Sequence, residues 1–141
     1  MADADDSSYE ILDHTADIGL RVRAGSREAL FAAAAWGMVE IVGAASPHGS
    51  GTFVEVNLTA ADAGALLVDW LNEVLFLVDA RAAYVTDVLV EWAADTSMSG
   101  KVGIVKGAGA PRGTELKAAT YHGLSVANDE DRWHATVYFD V

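Results

Sequence analysis

The chain has 141 residues, 52% of them hydrophobic, with 21 acidic side chains against 9 basic ones and a formal charge of −12. That length supports one self-sufficient core, and the charge repels a nucleic-acid backbone over most of the surface, so stable RNA or DNA binding by this chain is not expected. With no cysteine, disulfides, thiolate metal sites and thiol nucleophiles are excluded, and any metal must be held by oxygen or histidine.

Residues 1–8 are polar and acidic, and they lack the basic-then-apolar order of a signal peptide. They read as a flexible tail ahead of a single domain over 9–141, with a cytoplasmic location as the simplest expectation. No membrane segment is expected, since the most apolar run, Ala60 to Val78, is broken by Asp62, Asp69, Asn72 and Glu73.

Order begins at Tyr9-Glu10-Ile11-Leu12, followed by the polar cluster Asp13-His14-Thr15-Ala16-Asp17-Ile18-Gly19. Ile18 to Ala24 alternates apolar and basic residues at the strand period, with Arg21 and Arg23 on a solvated face. Gly25 ends that strand and Ser26 caps a helix whose Ala29, Leu30, Ala33, Ala34, Gly37, Met38 and Ile41 recur at helical spacing. Gly43 to Gly51 is a loop, and Thr52 to Leu58 alternates as a second main strand. Thr59-Ala60-Ala61-Asp62 fits a capping box with Asp62 in place of the usual Glu. The helix it opens carries Leu66, Leu67, Trp70, Leu71, Val74, Leu75 and Val78 as an apolar stripe, with Asp62, Asp69, Asn72, Glu73 and Asp79 toward solvent.

Four strands are predicted beyond Asp79: Tyr84 to Trp92, Ser97 to Lys106, Thr114 to Val126 and Trp133 to Val141, with a turn at Asn128-Asp129-Glu130-Asp131. Their connections are too short for crossover helices. The expected fold is therefore α+β: a single compact domain of two amphipathic helices packed on a largely antiparallel sheet of about six strands.

Three stretches can carry chemistry. The first is the Asp13–Gly19 cluster. The second is Glu115-Leu116-Lys117-Ala118-Ala119-Thr120-Tyr121-His122-Gly123, which reads as one strand with Lys117, Ala119 and Tyr121 on one face and Thr120 and His122 on the other. The third is the terminus, where the α-carboxylate of Val141 follows Asp140. Asp13, Asp17, Asp140 and the terminal carboxylate would make an all-oxygen set suited to calcium or magnesium, and a bound cation would relieve their mutual repulsion. By spacing alone, turn-capping aspartates and a solvated terminus explain the same residues equally well. Zinc is disfavoured, because His14, His48, His122 and His134 have no paired ligand spacing. Phosphate-binding Gly-rich loops, the Gly-x-Ser-x-Gly elbow and His-Glu-x-x-His are all absent, so an independent enzyme is not supported.

The segment from Tyr9 to Gly19, Leu67-Val68-Asp69-Trp70-Leu71-Asn72-Glu73, the stretch from Glu115 to Leu124 and the terminal Phe139-Asp140-Val141 closely resemble the archease family, in order and over nearly the whole chain. The resemblance implies a small α+β domain that is not itself an enzyme. It implies a protein cofactor of the RtcB-type RNA-splicing ligase, which joins tRNA halves with GTP and manganese. Such a cofactor promotes guanylylation of the ligase's active-site histidine, allows multiple turnover and can broaden nucleotide use. It further implies a metal site, usually calcium, at Asp13, Asp140 and the terminal Val141, with Asp17 as a further candidate. Lys117 corresponds to a lysine required for activation, and His14, Tyr121 and His122 stand as supporting candidates. Two features depart from the family pattern: Ser26 occupies a position where an acid is often found, and the segment from Lys106 to Gly113 is short and Gly-rich. The alternative is an RNA-binding or chaperone-like module that modulates tRNA-processing enzymes.

Overall fold

The structure, a computed structural model, describes residues 7–13, 17–46, 51–107 and 113–141 and leaves out the side chain of Asp13. Strands β1 (Ser8–Asp13) and β2 (Asp17–Ala24) lead into helix α1 (Arg27–Val42). Strand β3 (Thr52–Thr59) precedes helix α2 (Ala63–Arg81), and β4 (Ala83–Ala93), β5 (Ser97–Lys106), β6 (Ala118–Ala119), β7 (Ser125–Asp129) and β8 (Arg132–Asp140) complete the chain.

The α+β reading holds. Among the described residues the strands are eight rather than about six, and they form two sheets. In the larger sheet β1 pairs with β2 and β2 with β8, while β6 and β7 lie along successive lengths of the other edge of β8. The smaller sheet has the order β3-β5-β4. Every named strand pair is antiparallel, and β1–β2, β4–β5 and β7–β8 are joined by connections too short for a crossover helix.

Local chemistry sets the helix ends. Ser26 is extended, at φ −146°, and its hydroxyl accepts from the Ala29 N–H at 3.1 Å. Gly43 closes α1 in the left-handed region, at φ 75°, where glycine has no Cβ to clash. The start of α2 corrects the expected capping box. Thr59 stays in β3, paired with Ser97, and Asp62 is itself the cap, accepting from the Ala65 N–H at 2.8 Å. The helix therefore starts three residues later than a Thr59 cap would place it.

Helix α1 is buried on more sides than an amphipathic stripe predicts, because Ala35, Val39 and Val42 are covered along with the expected residues. It packs on β2 of one sheet and β4 of the other, so the core wraps around it. Trp70 of α2 is fully buried, and its indole N–H donates to the Phe31 carbonyl of α1 at 2.9 Å, joining the helices with a satisfied polar group. Arg27 at the start of α1 pairs with Asp95 at 2.8 Å and lies over the Trp133 ring at 4.5 Å, tying the helix to both sheets. Tyr9 of β1 donates to Glu40 of α1; burial first, and then the carboxylate, push its hydroxyl up to about 12.

The segment from Thr114 to Val126 is not one strand. It contains β6, a turn at Tyr121–Gly123 with Gly123 at φ 66°, and the start of β7. Lys117 precedes the strand and Tyr121 follows it, so the alternating faces expected for Lys117, Ala119 and Tyr121 do not apply. Positions 1–6, 47–50 and 108–112 fall outside the described residues, and with them most of the acidic tail and the Gly-rich loop. No helix among the described residues is long and apolar enough to cross a membrane.

Candidate functional site

Antiparallel pairing of the chain's start with its end is what assembles the site. Strand β2 begins at Asp17 and β8 finishes at Asp140, and the register places these two residues directly opposite each other. Directly opposed residues share a face, with Cβ atoms about 5 Å apart, and two like charges there repel. Asp17 is half-buried and Asp140 is exposed. Strand β1 ends at the same point, the backbone of Asp13 pairing with Ile18.

The second motif reaches this end along the other edge of β8. Ala118 pairs with Asp140, and the Lys117 N–H donates to the Asp140 carbonyl at 2.8 Å. Upstream, the Gly113 and Thr114 N–H groups donate to the Val42 and Ile41 carbonyls at 2.9 and 2.8 Å, so the approach to Lys117 is fixed on the last turn of α1. The Lys117 side chain is exposed, and so is Val141. Asp13, Asp17, Lys117, Asp140 and Val141, far apart in sequence, thus converge on one end of one sheet.

Tyr138 ties the first motif to the second. A Cβ on Gly19 would lie 2.6 Å from its Cε1, and a Cβ on Gly123 would lie 3.0 Å from its Cδ2 and Cε2. One ring therefore passes between a glycine of each motif. The expected supporting residues are less closely placed: Tyr121 is 62% exposed in the turn after β6, His122 is exposed with its N–H on the Thr120 hydroxyl at 3.3 Å, and His14 lies outside the described residues.

Among the described residues, no group of three or more His, Asp or Glu side chains is close enough to hold a metal ion. The opposed Asp17 and Asp140 offer carboxylate oxygens, donors that match a hard divalent cation in chemistry. A cavity of about 360 Å³ is lined by Val42, Val78, Asp79, Ala82 and Gly113–Leu116, the segment that leads into Lys117. Burial, followed by repulsion from Glu115, raises the Asp79 carboxyl above its ordinary value.

Residues 9–141 match the model of the Archease protein family (MTH1598/TM1083). The chain belongs to the archease family. Over 141 residues it is 32% identical to the protein archease of Methanosarcina barkeri, covering 94% of this chain and 95% of that one. It is 31% identical over 138 residues to that of Saccharolobus islandicus strain M.14.25, covering 95% and 99%. The solution structure of Methanobacterium thermoautotrophicum protein 1598 superimposes with a TM-score of 0.76 at 28% identity, covering 94% and 98%. The Thermotoga maritima archease, described as a possible chaperone, shares the fold with a TM-score of 0.66 at 22% identity.

Within this archease, sequence reasoning missed the parts of Tyr138 and Asn72. Asn72 of α2 donates to the Ala119 carbonyl at 3.3 Å and accepts from the Ala119 N–H at 2.7 Å. Its signal in the sequence was faint: a lone amide among the carboxylates of the expected solvent face of α2.

Proposed function

We propose that this archease activates an RtcB-type RNA ligase, promoting guanylylation of the ligase's active-site histidine and its multiple turnover in tRNA splicing and RNA repair in the cytoplasm. Family membership supports the partner. The observation that carries the reading is the Lys117–Asp140 backbone bond, which joins at an exposed sheet end the two motifs that hold the proposed activating lysine and the proposed carboxylate. The chain acts as a non-catalytic cofactor of the ligase.

Asp13, Asp140 and the Val141 carboxylate, with Asp17, would hold a divalent cation, calcium in the family pattern. When bound, that ion supplies positive charge for phosphate oxygens and cancels the repulsion between Asp17 and Asp140. Lys117 does its work through an exposed ammonium, three donors on a flexible stem, which can reach phosphate oxygens of a nucleotide held by the ligase. Its backbone bond fixes where that stem begins.

The test is covalent GMP incorporation into purified ligase with GTP and manganese, with this chain at substoichiometric amounts. Faster incorporation with multiple turnovers is expected. Lys117→Ala removes an exposed side chain and keeps the backbone bond, so stability should stay within about 0.5 kcal/mol of wild type while activation is lost. Wild-type chain without effect on a competent ligase refutes the proposal, as does full activation by a folded Lys117→Ala.

A further inference from the structure

Strand β6 is two residues long, and its partner β8 holds it from one side only. The bonds on that side run from the N–H groups of Lys117 and Thr120 to the carbonyls of Asp140 and Tyr138, at 2.8 and 3.0 Å. On the other side one side chain takes the place of a neighbouring strand. The Asn72 amide carries a donor and an acceptor, and it satisfies both backbone groups of Ala119, accepting at 2.7 Å and donating at 3.3 Å. Ala119 is 5% exposed, so those two groups have little access to water, and buried backbone groups left unpaired are costly.

The sequence of β6 adds little to its own placement. Ala118 and Ala119 are small and alike, and a strand of two residues has little side-chain pattern of its own. The buried Leu116 anchors the chain before Lys117, the Lys117 N–H bond to Asp140 holds the residue itself, and after it Asn72 grips Ala119 while the Thr120 N–H and hydroxyl both donate to the Tyr138 carbonyl. Without Asn72 both Ala119 backbone groups lose their partner, and a shift of β6 that turned them toward water would strain the Lys117 bond to Asp140 and carry the start of that side chain with it.

We infer that Asn72 is a positioning residue for activation, holding β6 in register with β8, and so Lys117 beside Asp140, by acting as a one-residue substitute strand. The inference rests on the ligase-activation reading, and it assigns the effect of Asn72 to the placing of Lys117.

The experiment measures guanylylation of the RtcB-type ligase with GTP and manganese as a function of the concentration of full-length wild type, Asn72→Ala, Asn72→Asp, Lys117→Ala and the double variant Asn72→Ala/Lys117→Ala. Asn72→Asp keeps the size and the acceptor for the Ala119 N–H but loses the donor, and it carries the test if Asn72→Ala does not fold. A displaced reacting group costs rate rather than binding, so the maximal rate should fall about tenfold or more in Asn72→Ala and by less in Asn72→Asp. The half-saturating concentration should stay within about twofold, and the double variant should be no slower than Lys117→Ala. An unchanged maximal rate overturns the inference. So does a shift confined to the half-saturating concentration, which is the mark of a smaller folded fraction, and so does full additivity with Lys117→Ala. If wild type activates and the Asn72 variants match it, this inference alone falls; if wild type does not activate, the activation reading falls and takes this inference with it.

Discussion

Replacing Gly19 with alanine tests whether the first motif is built around the Tyr138 ring. The added methyl would lie 2.6 Å from Tyr138 Cε1 and 2.9 Å from Cδ1, about 1 Å inside the carbon–carbon optimum of roughly 3.5–4.0 Å. Leu12 Cβ, at 3.2 Å, crowds the next direction, and Gly123 stands close to the ring on its other edge. The ring must therefore leave its place rather than adjust within it. Overpacking of this kind costs about 1–3 kcal/mol, and alanine returns roughly 0.5–1 kcal/mol through its lower chain entropy in a strand. A net loss of about 1–2 kcal/mol follows, read as a melting temperature lower by roughly 3–7 °C. Urea unfolding of Gly19→Ala, Tyr138→Ala and the double variant measures the coupling directly. With the ring gone, Gly19→Ala should be neutral or mildly stabilising, giving a coupling of about 1–3 kcal/mol between the sites. Additivity within about 0.5 kcal/mol would show that the glycine serves something other than this ring.

Asp79→Asn should raise the melting temperature at pH 7 by about one degree, because the ionised carboxyl is disfavoured by burial and by Glu115, and water at its exposed face screens most of that cost. The sign follows from linkage. A carboxyl raised above its ordinary 3.8 binds its proton more tightly when folded, so its stabilising contribution is complete in acid and lost as pH rises through the folded value. The advantage of the amide over Asp79 should therefore vanish in acid, and a gain that persists there would contradict the assignment. Ala82→Gly relieves a non-glycine residue held at φ 48° at the end of α2. It should stabilise the protein by about 0.5–1 kcal/mol in chemical denaturation, and a loss of stability would show that the left-handed cap is not strained.

Periodicity is a reliable guide wherever a segment owes its form to its own residues. The alternation from Ser97 to Lys106 predicts a strand with the bounds the structure gives, and Ser26 caps α1 as its place before an apolar helix predicts. The errors fall where a distant element decides. Thr59 resembles a cap in isolation, but Ser97 across the sheet keeps it in β3, and Asp62 takes over. The residues from Thr114 to Val126 look like one long strand, yet they must turn at Gly123 to follow β8 along two lengths. Among the site residues, the motifs around Asp17, Lys117 and Asp140 are legible as unusual polar groupings. That Asp17 faces Asp140 is not, because register between strands more than a hundred residues apart leaves no local trace. Asn72 is harder still, since its partners are backbone atoms and carry no residue signature.

The exposure of the site bears on how such a protein would act. Among the described residues no polar or charged residue is buried, while Lys117 and Asp140 stand in water. Two unit charges about 4 Å apart interact by about 1 kcal/mol in water and about 4 kcal/mol at the effective dielectric near a protein surface. An ammonium at the free sheet end therefore does little to a passing phosphate. In the proposed complex the same ammonium, held in a cleft walled by the ligase, would act several times more strongly. Strength of that order comes only from the pair of surfaces, so the proposed activation should weaken when the cleft is widened on the ligase side as surely as when Lys117 is removed on this one.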